Sequence, residues 1–230
     1  MNILPEAISN KGFRSSKNQG RHTMCCIKKR KTQQEKSREM KTRLIEATLV
    51  CLQERGYHGT SISEILNRAG VSRGAWRHHY NNKKELVVAA AKYFLKGPIA
   101  TAREIAPSFK NRDNLLVEVV DYIWENFYQG TYRDIWLEFN VACRTDIELK
   151  KRLKPVIKEF FDALDELWRE YFAAVDDTAG TIEILMNLTL YSMRGMAIQS
   201  IVLDEPDYYR TLRNQWIKLL SPLIAVRKDI

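Results

Sequence analysis

The stretch from Thr60 to Lys83 constrains the fold more than any other, because its spacing reads as two short helices joined by a tight turn. Ser61 followed three residues later by Glu64 is a capping box, and Ile62, Ile65, Leu66 and Ala69 then recur at the spacing of one helical face. Gly70 sits just past the last periodic residue, where a left-handed backbone is easiest for glycine, and Ser72 two residues on can cap a new helix. Helix, glycine turn, helix is the helix-turn-helix pattern. The second helix carries Arg73, Arg77, His78 and His79 with no acid before Glu85, so its exposed side is a set of donors suited to phosphates and base edges. It is predicted to be the recognition helix, with Arg73 and Arg77 four residues apart on one face.

Charge agrees with that placement. Residues 1–42 carry a net +8, residues 43–94 a net +4 and residues 95–230 a net −3. A basic front and a mildly acidic rear argue for a nucleic-acid contact at one end only. The chain of 230 residues is long enough for one or two domains with a sizeable core. Cys25, Cys26, Cys51 and Cys143 form no Cys-x-x-Cys pair, which suggests neither a metal nor a disulfide framework and fits a reducing cytoplasm. No run approaches the ~18 apolar residues of a membrane span, so no membrane partner is expected.

Taken in order, residues 1–37 read as a disordered basic extension with the run Lys28-Lys29-Arg30-Lys31. It is either an arm along DNA, a solvated tail, or an extension from an upstream start with Met24 or Met40 the true beginning. From Ser37 to Arg55, Leu44, Ala47, Thr48, Cys51 and Leu52 mark a first helix ended by Gly56. After the recognition helix, Asn81 or Asn82 can cap a fourth helix with Leu86, Ala89, Ala90, Tyr93 and Phe94 on one face, stopped by Gly97-Pro98. Beyond it only helices are expected: Ile99 to Ala106 closed by Pro107, Asp113 to Gln129, Ile135 to Cys143, and a long segment from Thr145 or Asp146 to about Val175 with a kink or break near Leu153 caused by Pro155. Thr181 to Leu203 is apolar on two sides, one at Ile182, Leu185, Met186, Met193 and Met196, the other at Ile184, Leu188, Tyr191, Ile198 and Val202. Tyr208 to Val226 forms the last helix. The two final helices are expected to be half of a four-helix interface with a second copy, through Met193, Gly195, Met196, Leu212, Trp216 and Leu219; the alternative is that both apolar sides are buried within one subunit.

Gly56-Tyr57, Thr60-Ser61, Ile65, Ala69-Gly70-Val71-Ser72-Arg73-Gly74, His79-Tyr80 and Lys83-Lys84-Glu85-Leu86 together resemble the DNA-binding domain of the tetracycline-repressor (TetR) family, over about Arg38 to Gly97. Arg77 departs from the pattern, which usually has Tyr and sometimes Leu there. The resemblance implies an all-α fold: an N-terminal three-helix helix-turn-helix DNA-binding domain over 38–97 and a C-terminal helical bundle over 98–230 for ligand sensing and dimerisation. Trp136, Glu138, Arg144, Thr145, Asp146 and Leu149 more loosely resemble the second domain of such regulators. The residues and the resemblance together give Thr60, Ser63, Ser72, Arg73, Gly74, Arg77, His79, Tyr80 and Lys83 as the DNA-contacting set. The resemblance implies phosphate contacts for His79 and Lys83, and a core position for Trp76.

Catalysis is not expected. The four histidines, His22, His58, His78 and His79, all lie outside the second domain, and neighbouring His78 and His79 cannot share a metal as an i, i+4 pair would. Glu159, Asp162, Asp165, Glu166 and Glu170 read as a solvated face. No cofactor and no metal are expected. Aromatic residues of the second domain instead predict a small-molecule pocket, with Trp124, Phe127, Tyr128, Trp136, Phe139 and Tyr191 as its candidate lining. The function predicted is a DNA-binding transcription regulator, a ligand-relieved repressor that binds a near-palindromic site on double-stranded DNA as a homodimer and answers to a small-molecule effector. The rival is a helical small-molecule binder or scaffold whose helix-turn-helix docks protein rather than DNA.

Overall fold

The computed structural model describes residues 32–106, 114–176 and 180–227. The basic run at Lys28 to Lys31, His22, Cys25, Cys26, Pro107 and the expected helix start at Asp113 lie outside them. Helix α1, Gln33–Gly59, begins a turn earlier than Ser37 because Thr32 and Glu35 form a capping box: the Glu35 amide donates to Thr32 Oγ1 at 3.2 Å and the Thr32 amide to Glu35 Oε2 at 2.7 Å. The extension expected to reach residue 37 therefore yields its last residues to the helix. Near its end α1 bends at Gly56, whose φ of 67° is a conformation glycine adopts without strain.

Helices α2, Ile62–Ala69, and α3, Arg73–Arg77, follow the pattern read from the sequence. Ser61 and Glu64 close their capping box, Gly70 takes φ 62° and Ser72 Oγ accepts from the Ala75 amide. Leu44, Ala47 and Cys51 of α1 meet Ile65, Leu66, Ala69, Val71, Trp76 and Leu86 in one core. Trp76 is therefore a core residue of this helix-turn-helix unit, the reader, and only 5% exposed.

Helix α4, Lys83–Ile105, corrects the expected stop at Gly97-Pro98: the helix runs through Pro98, and Ile99 to Ala106 is not a separate element. Proline leaves the carbonyl four residues earlier without its donor. Here that carbonyl is Phe94 O, and the Tyr132 hydroxyl donates to it at 3.3 Å, while the Tyr132 ring stacks on Phe94 at 4.3 Å. A side chain from another helix thus supplies what the proline removes.

The rest is α5, Leu115–Phe127, α6, Gly130–Thr145, α7, Ile147–Tyr171, α8, Ile182–Gln199, and α9, Pro206–Leu220. Of the kink or break expected near Leu153, the break is absent: α7 is one helix through Pro155. The carbonyl left without a donor belongs to Lys151, and both Lys151 and Pro155 are exposed, so water can complete it. The expectation of helices alone is also corrected. Pro222 ends the last helix at a 3₁₀ turn over Ser221–Leu223, and Ile224–Val226 (β2) then pairs antiparallel with Phe172–Ala174 (β1), Ala173 opposite Ala225. The all-α class stands with this short pair of strands added.

Two further cores complete the molecule. One face of α1 and one of α4 pack with α6 and α7 around Leu52, Phe94, Ile135, Phe139, Leu149 and Leu153. Helices α5, α8 and α9, the carboxyl half of α7 and the strand pair enclose the other around Val120, Trp168, Phe172, Met186 and Met193. Among the described residues no helix is long and apolar enough to cross a membrane.

Candidate functional site

The reader face is short. Arg73, Gly74 and Arg77 lie exposed on α3, and a Cβ at Gly74 would meet nothing within 4 Å, so the backbone there is open to close approach. Arg73 Nη2 donates to Ser63 Oγ of α2 at 2.8 Å, which ties the two helices of the motif across their outer surface. Among the described residues neither Arg73 nor Arg77 forms an ion pair, leaving both guanidinium groups to an anion from outside. His79 is partly buried, and burial, with Lys41 and His78 adding to it, holds its pKa below the usual imidazole value. Tyr80 is likewise partly buried, and burial raises its phenol.

Two members of the predicted contact set are placed elsewhere. Thr60 is 2% exposed and its hydroxyl donates to the carbonyls of Cys51 and Gly56, at 2.9 and 2.7 Å, so it staples the bend of α1 and has nothing to offer a phosphate. Lys83 folds back on the same bend: its ammonium donates to the Tyr57 carbonyl and lies 4.1 Å from the centre of the Tyr57 ring. The expected lysine at the helix terminus is spent on the protein itself. Tyr57 offers its carbonyl and ring to this lysine, a claim on it that the residue spacing does not reveal.

A polar latch joins the reader to the bundle. The Tyr57 amide donates to Glu138 Oε2 at 2.9 Å and the Tyr57 hydroxyl to Asp146 Oδ2 at 2.8 Å. Lys84 Nζ donates to Asp146 Oδ1 at 2.8 Å, and the same oxygen caps α7 by accepting from the Leu149 amide at 2.9 Å. The Lys84 hydrogen bond above all, then the Leu149 amide, holds the Asp146 carboxyl at about 2. Sequence spacing offers Thr145 or Asp146 as the cap, and Asp146 takes the role; its second role as a latch requires Tyr57, 89 positions away, and Lys84, 62 away.

Further along α4 a cavity of about 130 Å³ opens beneath the bundle. Phe94, Leu95 and Pro98 of α4 line it, with Tyr132 and Trp136 of α6, Phe160 and Trp168 of α7 and Arg194 of α8. Of the predicted lining, Phe127, Tyr128 and Trp136 are present. Trp124, Phe139 and Tyr191 are corrections. Trp124 stacks on Tyr209 at 6.1 Å in the core behind the cavity, Phe139 packs edge-on against Phe94 at 5.8 Å, and Tyr191 is 53% exposed on the outer side of α8. Aromatic content marks the region but not which ring faces in. Arg194 is the more legible sign, since it and Glu183 are the only charged residues of α8.

The two apolar sides of α8 have different fates. Ile182, Leu185, Met186, Leu190 and Met193 enter the core, whereas Ile184, Leu188, Tyr191, Gly195 and Ile198 form an exposed stripe at alternating spacings of four and three. Met193, fully buried within its own chain, is thereby corrected as an interface residue; Met196 and Leu212 pack inward against the same core, and the Trp216 indole donates to Thr189 Oγ1 at 3.1 Å. Gly195 and Leu219 remain at the surface.

The family described as "Bacterial regulatory proteins, tetR family" matches residues 44–90, the reader from α1 into α4. The HTH-type transcriptional regulator CymR of Pseudomonas putida is 27% identical over 191 residues, 83% of this chain and 94% of that protein. Among solved structures, a TetR transcription regulator from Haloarcula marismortui aligns with a TM-score of 0.60 at 17% identity, covering 82% of this chain and all of the other. FadR from Bacillus subtilis, solved in complex with stearoyl-CoA, aligns with a TM-score of 0.58 at 17% identity, covering 78% of this chain and 96% of its own.

Proposed function

From the premise that this chain is a DNA-binding transcriptional regulator of the tetR family, we propose that it acts as a homodimeric, ligand-relieved repressor, with residues 38–97 as the reader and residues 98–230 as the sensing and pairing domain. The observation that carries the reading is the path of α4. Its first turn is held to the reader and the latch through Lys83 and Lys84, and its later turns, at Phe94, Leu95 and Pro98, form a wall of the cavity. A ligand that fits the cavity better in one position of α4 than in another moves the reader with it; one that fits both equally shifts nothing.

Pairing follows from the stripe of α8. Ile184, Leu188, Tyr191 and Ile198, with Leu219 of α9, are exposed large apolar residues of the kind that a second copy buries, and Gly195 in their midst lets two helices approach closely. Two copies then set two α3 helices about one turn of DNA apart, ~34–36 Å, in successive major grooves of a near-palindromic site. Ser63, Ser72, Arg73, Gly74, Arg77, His79 and Tyr80 are the proposed contact set, with the arginines supplying most of the affinity. The chemistry proposed is binding alone, with no catalytic step.

The test is affinity for a duplex carrying the gene's own upstream region. Binding should weaken steeply as salt rises, and Arg73→Ala with Arg77→Ala should cost at least roughly tenfold and flatten the salt dependence by about two phosphate contacts. Unchanged affinity in the double variant overturns the assignment of α3. Leu188→Glu in sedimentation should give monomers, and an intact dimer there would refute the α8 stripe as the interface.

A further inference from the structure

Besides tyrosine hydroxyls and indole nitrogens, the polar side chains in the cavity wall are cations. Arg133 and Arg194 are in its wall, and among the described residues no aspartate or glutamate joins them there. Arg133 is already matched, its guanidinium 2.8 Å from Asp134 Oδ1. Arg194 is not. Its guanidinium carbon sits over the Trp136 ring at 4.2 Å and near the rings of Tyr191, Tyr128 and Phe161 at 5.5 to 5.8 Å. Its hydrogen bond to the Tyr128 hydroxyl, from Nη2, is a long 3.4 Å. That phenol is itself neutral, since burial raises it, and it gives its own proton to the Leu190 carbonyl at 3.1 Å. Among the described residues, buried Arg194 Nε and the buried indole nitrogen of Trp136 have no hydrogen-bond partner.

Arg194 is half-buried, and an unmatched donor at its buried Nε carries a desolvation cost that the ring faces offset only in part. A planar fork of donors matches a carboxylate in two parallel hydrogen bonds, a geometry that a point charge does not reproduce. The volume limits the rest of the ligand, because a cavity of about 150 Å³ lined by apolar side chains takes up benzene. We propose that this cavity binds a small apolar carboxylate, about one ring or a short branched chain in size, with its carboxylate seated on Arg194. This deepens the reading of the cavity as the effector site and rests on it only for the consequence, not for the binding. The ring stack and the missing acid also set Arg194 apart from surface arginines such as Arg169, which is paired with Glu183 at 2.6 Å.

The experiment measures ligand binding to the full-length protein by quenching of tryptophan fluorescence, separately from DNA release. Phenylacetate and hexanoate are compared with the matched neutral phenylacetamide and hexanamide, and with the cation benzylamine. The acids should bind roughly tenfold or more tightly than their amides, with benzylamine weakest. Arg194→Gln should bring acid and amide to about equal affinity while leaving amide binding within about threefold, which also shows that the variant is folded; Arg194→Lys should keep part of the preference. Amides binding as well as acids to the native protein overturns the anion assignment, and so does failure of every acid to bind. An Arg194→Gln variant that keeps its acid preference but sediments as a monomer overturns it too, by assigning the arginine to a second copy. Acid binding without any change in DNA affinity upholds the carboxylate site and instead refutes the cavity as effector site.

Discussion

Helices α1 and α4 each serve two cores, and the two are built in different ways. Toward the reader, Leu44, Ala47 and Cys51 of α1 and Leu86 of α4 close around α2 and α3 with partners all drawn from one continuous stretch of chain. Toward the bundle, Leu49, Leu52 and Tyr57 of α1 and Val87, Ala90 and Phe94 of α4 meet residues as distant as Leu153 and Val156. The reader core is specified by its own segment. The junction core exists only once the bundle has formed, so the reader's position depends on contacts that the reader's own sequence does not contain. That division fits the proposed sensor, in which one core holds the recognition helix and another sets its placement.

The sharpest way to break this distinction is Trp76→Ala. Removing a buried indole from the small reader core should cost about 3–5 kcal/mol. If that core is self-sufficient, specific DNA binding should vanish at temperatures where the far-ultraviolet helix signal of the bundle persists. A single transition shared by both signals would mean that the reader has no core of its own.

The same distinction explains which features are legible in the sequence. The reader is legible because its signals are local: the capping box at Ser61 and Glu64, Gly70, and the Ser72 cap each act within four residues, and each appears in its expected place. The inward turn of Lys83 is hidden because its acceptor is 26 positions away, and the burial of Thr60 because its hydroxyl serves a bend in α1. Pro98 and Pro155 carry the same local signal, a missing donor, yet neither ends its helix. Tyr132 completes one carbonyl and solvent access covers the other, and local sequence encodes neither. In the cavity, ring count locates the region, but the direction of Trp124, Phe139 and Tyr191 is decided by packing between helices.

A smaller effect tests where the two cores meet. At Gly56 the backbone is left-handed, and an added Cβ would stand 2.9 Å from Glu138 Oε2, the atom that accepts from the Tyr57 amide. Gly56→Ala should therefore cost roughly 1–3 kcal/mol in thermal or denaturant unfolding, from the unfavourable φ and from displacement of the carboxylate. The loss should be reduced in a Glu138→Ala background, where the obstruction is gone but the backbone strain remains. Equal losses in both backgrounds would place the whole effect in the backbone and none in the contact across the junction.

The smallest effect falls on the latch itself. Asp146 has its carboxyl held at about 2 against an ordinary 3.8, so the native state binds its proton less readily than the unfolded chain does. The stabilisation is in full force above the unfolded value and is lost as pH falls from about 4 toward 2; a tenfold difference in proton affinity corresponds to about 1.4 kcal/mol, so it amounts to roughly 2.5 kcal/mol at most. Glu183, also held at about 2 by Thr181 and Arg169, titrates in the same window, so the acid limb of the native protein alone cannot identify the group. The difference between native protein and Asp146→Asn can. Asparagine keeps an oxygen for the Leu149 amide but loses the charge that Lys84 holds, so the variant should be less stable near pH 7, and the gap should close as pH approaches 2. A gap that stays constant with pH would assign the loss to altered uncharged hydrogen bonds at this position and not to the ion pair, leaving the apolar contacts of α1 and α4 as what fixes the reader on the bundle.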